Sequence, residues 1–557
     1  MISIDPYIQN CDVLVMGGGI AGMMAAIAAA DKGVDVIVAE KADTRRSGSG
    51  ATGNDHFTCY MPDKHGSLED YLKHPTPNVR SSVINKDLWR QHAMRSFEVV
   101  QDWEKWGINM RPHGDWEFNG QALPGEPIYT LKYDGRDQKP ILTKEAKKRG
   151  VKIENKSPII EFLVDEAGAV SGAIALDISK NEPMLKVIQA KTIISATGIG
   201  MRLYPSVTPG WICNSCNCPA GTAAGRAAAL RIGATLVHMD SLWSHSGPRY
   251  MERCGKGTWI GILSNAKGQP ISPFIKQATK DYGDPAATVW KEAFTEKNMD
   301  GTGPVYMNCT NTAQEDLDYM LWGLQCEGDT GMLDAMKKQG IDLHYDMVEF
   351  GKYSVNMQGR GLYVNSKFET TVPGLYSAGD ETGNFNMGIS GAAVSGRIAG
   401  ENAAQVALEK EQTVLSLDHP RIKACQEFCS ELMSRTNGAS WDELNLAVQQ
   451  IMHDYADTEI PRSQTKLEAG LKYLSDVEAA ALKNAHATTS HELMRLLESF
   501  NLLTMGKCVI VSALERKETR GTHKRADYTF TNPLYNNKAV TVKVENNHLV
   551  TGWITND

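Results

Sequence analysis

The chain has 557 residues, with 58 basic and 66 acidic side chains and a net charge of -8. That length suffices for about three to four domains with cores of their own. The mild acidity and the lack of a basic run argue against nucleic acid as a main partner.

Residues 1–10 hold no basic stretch followed by an apolar one, so no secretory signal is expected. No run of about 18 uninterrupted apolar residues occurs, so no direct membrane insertion is expected. Any membrane link would come through a partner. A cytoplasmic location is expected, with the eleven cysteines mostly as thiols.

The first element is a short apolar strand, CDVLVM, at residues 11–16. It runs into a GxGxxG at residues 17–22, then a small-residue helix and a second strand ending in Glu40. Gly17 permits the tight turn, Gly19 lets the backbone approach a pyrophosphate, and Gly22 lets helix and strand pack closely. The helix N-terminus attracts phosphate, and Glu40 suits ribose hydroxyls. This is a dinucleotide site, and by itself it does not separate FAD from NAD.

Three later segments favour FAD. RSGSGATGN at residues 46–54 is small-sided, so its amides can approach a flat ring. KTIISATG at residues 191–198 is a buried strand ending in small residues. VPGLYSAGD at residues 372–380 precedes the helical GAAVSGRIAGENAA. Asp380 suits ribitol hydroxyls, and a helix starting at Gly391 and Ala392 would place its positive end near a reduced flavin.

Together with GTAAGRAAALRIGATLVHMD, GPVYMN and ERKETRGTHKRADY, these segments resemble the flavoprotein subunits of fumarate reductase, succinate dehydrogenase, L-aspartate oxidase and adenylylsulfate reductase. The resemblance covers nearly the whole chain and is nearest the adenylylsulfate reductase alpha-subunit branch. It implies an α/β fold: a Rossmann-like FAD-binding domain with an inserted capping domain and a C-terminal helical bundle. The expected parts are FAD domain 1–235 and 351–412, cap 236–350, helices 413–518 and a tail 519–557. Residues 151–190 read as a small antiparallel meander. Ser440 opens a capping box. AVTVKV and HLVTGWI form a strand pair turning at Asn546 and Asn547.

The expected cofactor-binding set is Gly17, Gly19, Ile20, Ala21, Gly22, Glu40, Lys41, Arg46, Ser47, Gly48, Ser49, Thr52, Gly53, Asn54, Ile160, Ala196, Thr197, Gly198, Gly379, Asp380, Gly391 and Ala392. Gly48 stands where the dicarboxylate enzymes of the family carry flavin on a His, so FAD is expected to be non-covalent. Ser354 stands at the family's active-site His. Asn386-Met387-Gly388 replaces a segment bearing a carboxylate-binding Arg, and Tyr282-Gly283-Asp284 lacks the proton-delivering Arg. Without those cations a dicarboxylate loses charge-assisted hydrogen bonds, which argues against fumarate or succinate. His245 matches the family's substrate-binding His. Arg249 and Arg253 are candidates for an anionic substrate, Tyr353 and Arg360 for a proton or positive charge, and Asn386 for a polar contact.

Cys213, Cys216 and Cys218 form a CxxCxC. They could hold a metal or an iron-sulfur cluster given a fourth ligand, for which Cys254 is the candidate, but the favoured expectation is thiols. The resemblance implies a small polar substrate under the cap and a separate ferredoxin-like iron-sulfur partner. The readings kept open are an alpha chain of adenylylsulfate reductase, an alkene reductase, and a flavin relay inside a larger complex.

Overall fold

A computed structural model describes residues 1–74, 84–120, 122–206, 211–249, 251, 259–286, 290 and 292–555. The main sheet runs, edge to edge, Lys152–Asn155, Val36–Glu40, Gln9–Met16, Met184–Ser195, Val170–Asp177 and Ile159–Val164. Met184–Ser195 is the pivot. Its first half pairs antiparallel with Val170–Asp177. Its second half pairs in parallel with Gln9–Met16 and Leu375–Ser377. The inner parallel strands, Val36–Glu40 and most of Gln9–Met16, are buried on both faces, which suits their near-continuous apolar sequence.

The expected meander is shorter than residues 151–190. Lys152–Asn155 pairs in parallel with Val36–Glu40, because the helix Gln138–Lys148 carries the chain back across the sheet as a crossover. Only the next three strands are antiparallel.

Two helices lie back to back over this sheet, Ile20–Ala30 and Gly388–Glu409. A Cβ at Gly396 would sit 2.2 Å from the Ala21 carbonyl oxygen, and one at Gly400 would sit 2.3 Å from that of Ala25. Glycine at these two positions lets the helices touch along their backbones. Their N-termini therefore open toward the same place.

The cap has its own sheet, ordered Trp243–Pro248, Val348–Asn356, Val305–Asn308 and Ile262–Ser264. Its apolar core includes Trp259, Leu263, Met307, Leu324 and Phe350. The return strand runs through the expected boundary at 350 and ends at Asn356. The C-terminal hairpin, Lys538–Glu545 with His548–Thr555, turns at Asn546 and Asn547, both left-handed at φ 49° and 63°, the geometry of a tight hairpin turn. This hairpin is no free tail. It continues a sheet with Leu236–Val237 and Gly361–Leu362 at the root of the cap.

Four helices form the C-terminal bundle: Pro420–Ser434, Trp441–Ala456, Gln464–Asn484 and Ser490–Glu515. Both halves of the Ser440–Glu443 capping box are made. Ser490–Glu515 is long and apolar enough to cross a membrane, but 67% of its most apolar window is buried within the protein. It is the central helix of the bundle, and its length and apolarity serve that packing.

Candidate cofactor and substrate cavity

A cavity of about 600 Å³ runs from the glycine-rich loop to the cap. At the nucleotide end the main chain does the shaping. Gly17 has φ +99°, and a Cβ there would lie 2.6 Å from the Ala196 carbonyl oxygen. A Cβ at Gly22 would lie 1.8 Å from the Gly17 carbonyl oxygen, so Gly22 closes helix onto strand behind the cavity wall. A Cβ at Gly19 would meet nothing within 4 Å. That open space at the helix N-terminus, on the cavity wall, is a cradle for a phosphate.

Glu40 is buried and accepts from the Gly18 amide at 2.6 Å and the Ala42 amide at 2.8 Å. Each carboxylate oxygen keeps acceptor capacity for a hydroxyl. The Ser47 hydroxyl donates to the Gly18 carbonyl at 3.0 Å, and the Lys139 ammonium donates to the same oxygen. Lys139 is fully buried, and burial pushes its pKa down to about 8. Lys41 is drawn to the Ala220 carbonyl and to Glu498 at 2.5 Å. Burial would raise the Glu498 carboxyl, but Lys41, Arg202 and Arg495 more than offset this and hold it at about 2.

In the middle of the cavity, Gly379 has φ +75° and passes close to Ala21. Burial raises the neighbouring Asp380 carboxyl to about 6, although Gln358 donates to it at 3.3 Å. Arg226, which no motif in the sequence singles out, pins this region. Its fully buried guanidinium donates to the carbonyls of Arg360 (2.7 Å), Gly198 (2.8 Å), Met357 (2.9 Å) and Asp380 (2.7 Å). One side chain thus fixes three wall segments distant in sequence.

The cap end is built from charge. Asp55 receives Lys132 at 2.7 Å and His56 Nδ1 at 2.5 Å, and Glu327 of the cap lies 3.4 Å from the same His56 nitrogen. His56, Lys132 and Glu327 line the cavity. Burial would raise the Asp55 carboxyl, but Lys132 and His56 hold it far below the usual carboxylate range. Burial would lower His56, but Asp55 and Glu327 outweigh it and raise the imidazole to about 9. Burial, then the Asp55 charge, pushes the Glu327 carboxyl upward. Asp55, His56 and Glu327 have the spacing of a cation site, but the Lys132 ammonium already supplies the positive charge there. This is an ion-pair cluster.

The expected residues Gly17, Gly19, Ile20, Ala21, Glu40, Lys41, Arg46, Ser47, Gly48, Ser49, Gly53, Asn54, Ala196, Thr197, Gly198, Gly379, Asp380, Ala392, His245 and Asn386 all line this cavity. Others do not. Pro158 and Ile159 line it in place of Ile160, whose carbonyl accepts from Arg231. Thr52 turns to the cap and donates to the Glu327 carbonyl at 3.1 Å. The later helix starts at Gly388, not Gly391. A Cβ at Gly391 would press on Met387 and Phe385, so Gly391 is a packing position.

Arg249 pairs with Glu349 across the cap sheet at 3.3 Å, away from the cavity. Arg360 is buried one layer behind the wall. It donates to the carbonyls of Ser241 (2.6 Å) and Gln358 (3.0 Å) and lies 5.9 Å from the Trp243 ring centre. Burial lowers its pKa to about 10. The backbone of Tyr353 pairs with His245, while its side chain and the whole of Arg253 and Cys254 lie outside the described residues. Asp284 accepts from the Leu263 and Ala286 amides, so it serves the cap backbone. Cys216 and Cys218 line the cavity.

The cavity fits FAD and a substrate on its own atoms. Three lining residues carry buried polar atoms with no partner among the described residues: Thr197 Oγ1, Thr222 Oγ1 and Trp259 Nε1. Buried polar groups are otherwise satisfied, so these mark places for ligand atoms. Two helix N-termini, the Gly19 cradle and the Glu40 and Asp380 carboxylates supply the groups a flavin dinucleotide needs.

Known proteins agree. Residues 12–395 match the FAD binding domain family, and residues 445–548 match the fumarate reductase flavoprotein C-terminal family. The chain is 23% identical to a CoM/CoB fumarate reductase chain of Methanothermobacter marburgensis, over 95% of this chain and 96% of that one. It is 24% identical to a fumarate reductase flavoprotein subunit of Helicobacter pylori, over 94% and 81%. Among solved structures, adenylylsulfate reductase of Archaeoglobus fulgidus superposes with a TM-score of 0.85 at 22% identity, over 100% and 96% of the two chains. Quinol fumarate reductase of E. coli gives 0.81 at 19%, over 99% and 97%. The chain belongs to the fumarate reductase and succinate dehydrogenase flavoprotein superfamily and is an FAD-dependent oxidoreductase.

Proposed function

We propose that the chain binds FAD non-covalently and passes an electron pair between it and a small polar or anionic substrate beneath the cap, the substrate being neither fumarate nor succinate. The carrying observation is the single cavity that joins the glycine loop to a charged, cap-covered end holding His245, Trp259, His56 and Glu327. Gly48 offers no nucleophile for a covalent flavin link. The positions where dicarboxylate clamps are expected hold Ser354, Met387 and Gly283.

Bound FAD supplies the two-electron chemistry. The protein binds, orients and protects. The helix N-termini at Gly19 and Gly388 favour negative charge on the phosphates and on a reduced ring. Glu40 and Asp380 hold hydroxyls. The cap excludes water and strengthens each polar contact inside. The Trp259 Nε1 and His245 orient the substrate. His56 Nδ1 holds one proton toward Asp55 at 2.5 Å, and the Glu327 carboxyl, raised by burial, holds another beside it within the cavity wall. An iron-sulfur partner chain of ferredoxin type would supply the electrons. The same missing clamps support a second reading, in which the flavin only relays electrons within a larger complex.

The test is photoreduction of the bound flavin under argon, followed by addition of fumarate, adenylylsulfate, several enoates or oxidised ferredoxin. Rapid reoxidation by adenylylsulfate or an enoate supports the proposal. Reoxidation by fumarate overturns its substrate clause, and reoxidation by ferredoxin alone selects the relay. Acid precipitation should release all flavin into the supernatant, and yellow pellets would refute non-covalent binding.

A further inference from the structure

The CxxCxC segment has no part in the chemistry under the cap, yet its position is specific. Cys216 and Cys218 line the inner cavity beside Gly48 and Ser49. Cys213 and Cys218 line a second, more open cavity of about 1040 Å³ that shares Arg46, Gly48 and Ser49 with the first. The cysteine loop is thus the partition between the two spaces. It is fastened there: the Cys218 amide donates to the Ser49 hydroxyl at 3.3 Å, and the Gly221 amide to the Cys218 carbonyl at 3.1 Å.

Exposure grades across the partition. Cys213 is exposed, Cys218 is half-buried and Cys216 is buried. The Asn217 side-chain amide donates to Cys216 Sγ at 3.5 Å. The exposed Arg46 lines both cavities beside this loop. Trp211, at the mouth of the outer cavity, is 71% exposed. The other seven described cysteines lie elsewhere, and five of them, Cys11, Cys59, Cys309, Cys326 and Cys508, are buried thiols raised to about 12.

We propose that Cys213 and Cys216 are a redox-active dithiol that exchanges an electron pair with the flavin on its inner side and with a disulfide-bearing substrate in the outer cavity. The inference rests on the proposed seat of the flavin against the loop at Gly48. Reduced flavin gives two electrons and two protons to the Cys213–Cys216 disulfide. The S–S bond breaks and two thiols form. The Cys213 thiolate then attacks an external disulfide, releasing one thiol. Cys216 resolves the mixed disulfide, releasing the second and restoring the internal S–S bond. The sum is reduced flavin plus disulfide giving oxidised flavin plus two thiols.

The test uses the FAD-loaded full chain, oxidised with diamide, freed of reagent and titrated anaerobically with dithionite. Wild type should take up about four electrons per FAD, two for the flavin and two for the disulfide. Cys213→Ser and Cys216→Ser should each take up about two, and Cys425→Ser about four. In the oxidised wild type, two of the three loop thiols should resist alkylation, and both should react after reduction. This second measurement needs no variant. Photoreduced wild type should be reoxidised by oxidised glutathione, and this should be lost in Cys213→Ser. Uptake of only two electrons by wild type overturns the proposal, as does a four-electron uptake that survives both loop substitutions. A flavin spectrum that is normal while the thiols stay inert sinks this inference alone. A chain that binds no FAD sinks the reading beneath it.

Discussion

The two ends of the cavity are made of different material. The nucleotide end is shaped by main chain: the Gly17 and Gly379 turns, the Gly19 cradle and two helix N-termini. The cap end is shaped by side chains: Asp55, His56 and Lys132 from one domain meeting Glu327 from the other. Backbone geometry tolerates almost no substitution and changes little with the ligand's substituents. A set of paired charges can be exchanged pair by pair. A fold that hosts several redox reactions can therefore keep the first end and rewrite the second.

The comparison breaks first at the glycines. Gly22→Ala places a Cβ against the Gly17 carbonyl, where the space is 1.8 Å, and neither backbone segment can give way. A loss of about 4 kcal/mol or more is expected, with soluble protein lacking FAD. Flavin content and the denaturation midpoint of the purified variant check it. A yellow, stable variant would show that the loop has slack. No second substitution should rescue this change, since the clash is with main chain.

At the cap end rescue is expected. Asp55→Asn leaves the Lys132 ammonium, 3% exposed, without its counter-charge, at a cost of about 3 kcal/mol. Adding Lys132→Met should restore most of that loss, because removing both charges also removes their desolvation cost. Thermal unfolding of the single and double variants decides it. Failure of the double variant to recover would mean that the cluster is held by shape, as the nucleotide end is.

The same contrast explains what was legible in the sequence. Gly17, Gly19 and Gly22 announce themselves because one short segment needs all three, the first for a positive φ, the second for open space at the helix N-terminus and the third for close packing on the Gly17 carbonyl. Asn546 and Asn547 are legible for the same reason, as both take left-handed backbone. Arg226 reaches the Arg360 carbonyl 134 residues away, and Lys132 meets Asp55 at a separation of 77. No local spacing encodes such meetings. Ile160 shows how small an error matters: in a strand, a slip of one residue turns the side chain to the other face, and Ile159 faces the cavity instead. Arg249 and Arg360 stand out in the sequence for their charge, but nearer acceptors, Glu349 for one and two carbonyls for the other, take up those charges.

Acid separates the two ends next. Glu498, behind the nucleotide end, has its folded pKa held near 2 against an ordinary 4.5. Its stabilising contribution is complete above the ordinary value and is lost as pH falls through the folded one. Between about pH 5 and about pH 3 the protein should lose about 2 kcal/mol through this group. Glu498→Gln should be less stable at neutral pH and show a flatter acid limb in denaturant titrations.

Glu327 has the opposite sign. Its folded pKa is raised by burial and by Asp55, so the folded protein holds a proton that the unfolded chain gives up. Its burial then costs stability as pH rises from the ordinary carboxylate range toward neutrality, and the cost is complete above the folded value. Glu327→Gln removes the titration, so the variant should gain on wild type across that rise, by on the order of 1 kcal/mol. The expected signature is a pair of stability curves that run together at about pH 4 and separate above it, with the variant higher. Separation in the other direction would mean that Glu327 is ionised and paired with His56 throughout. The proton assigned to the Glu327 carboxyl would then be absent, and the imidazole alone would carry one.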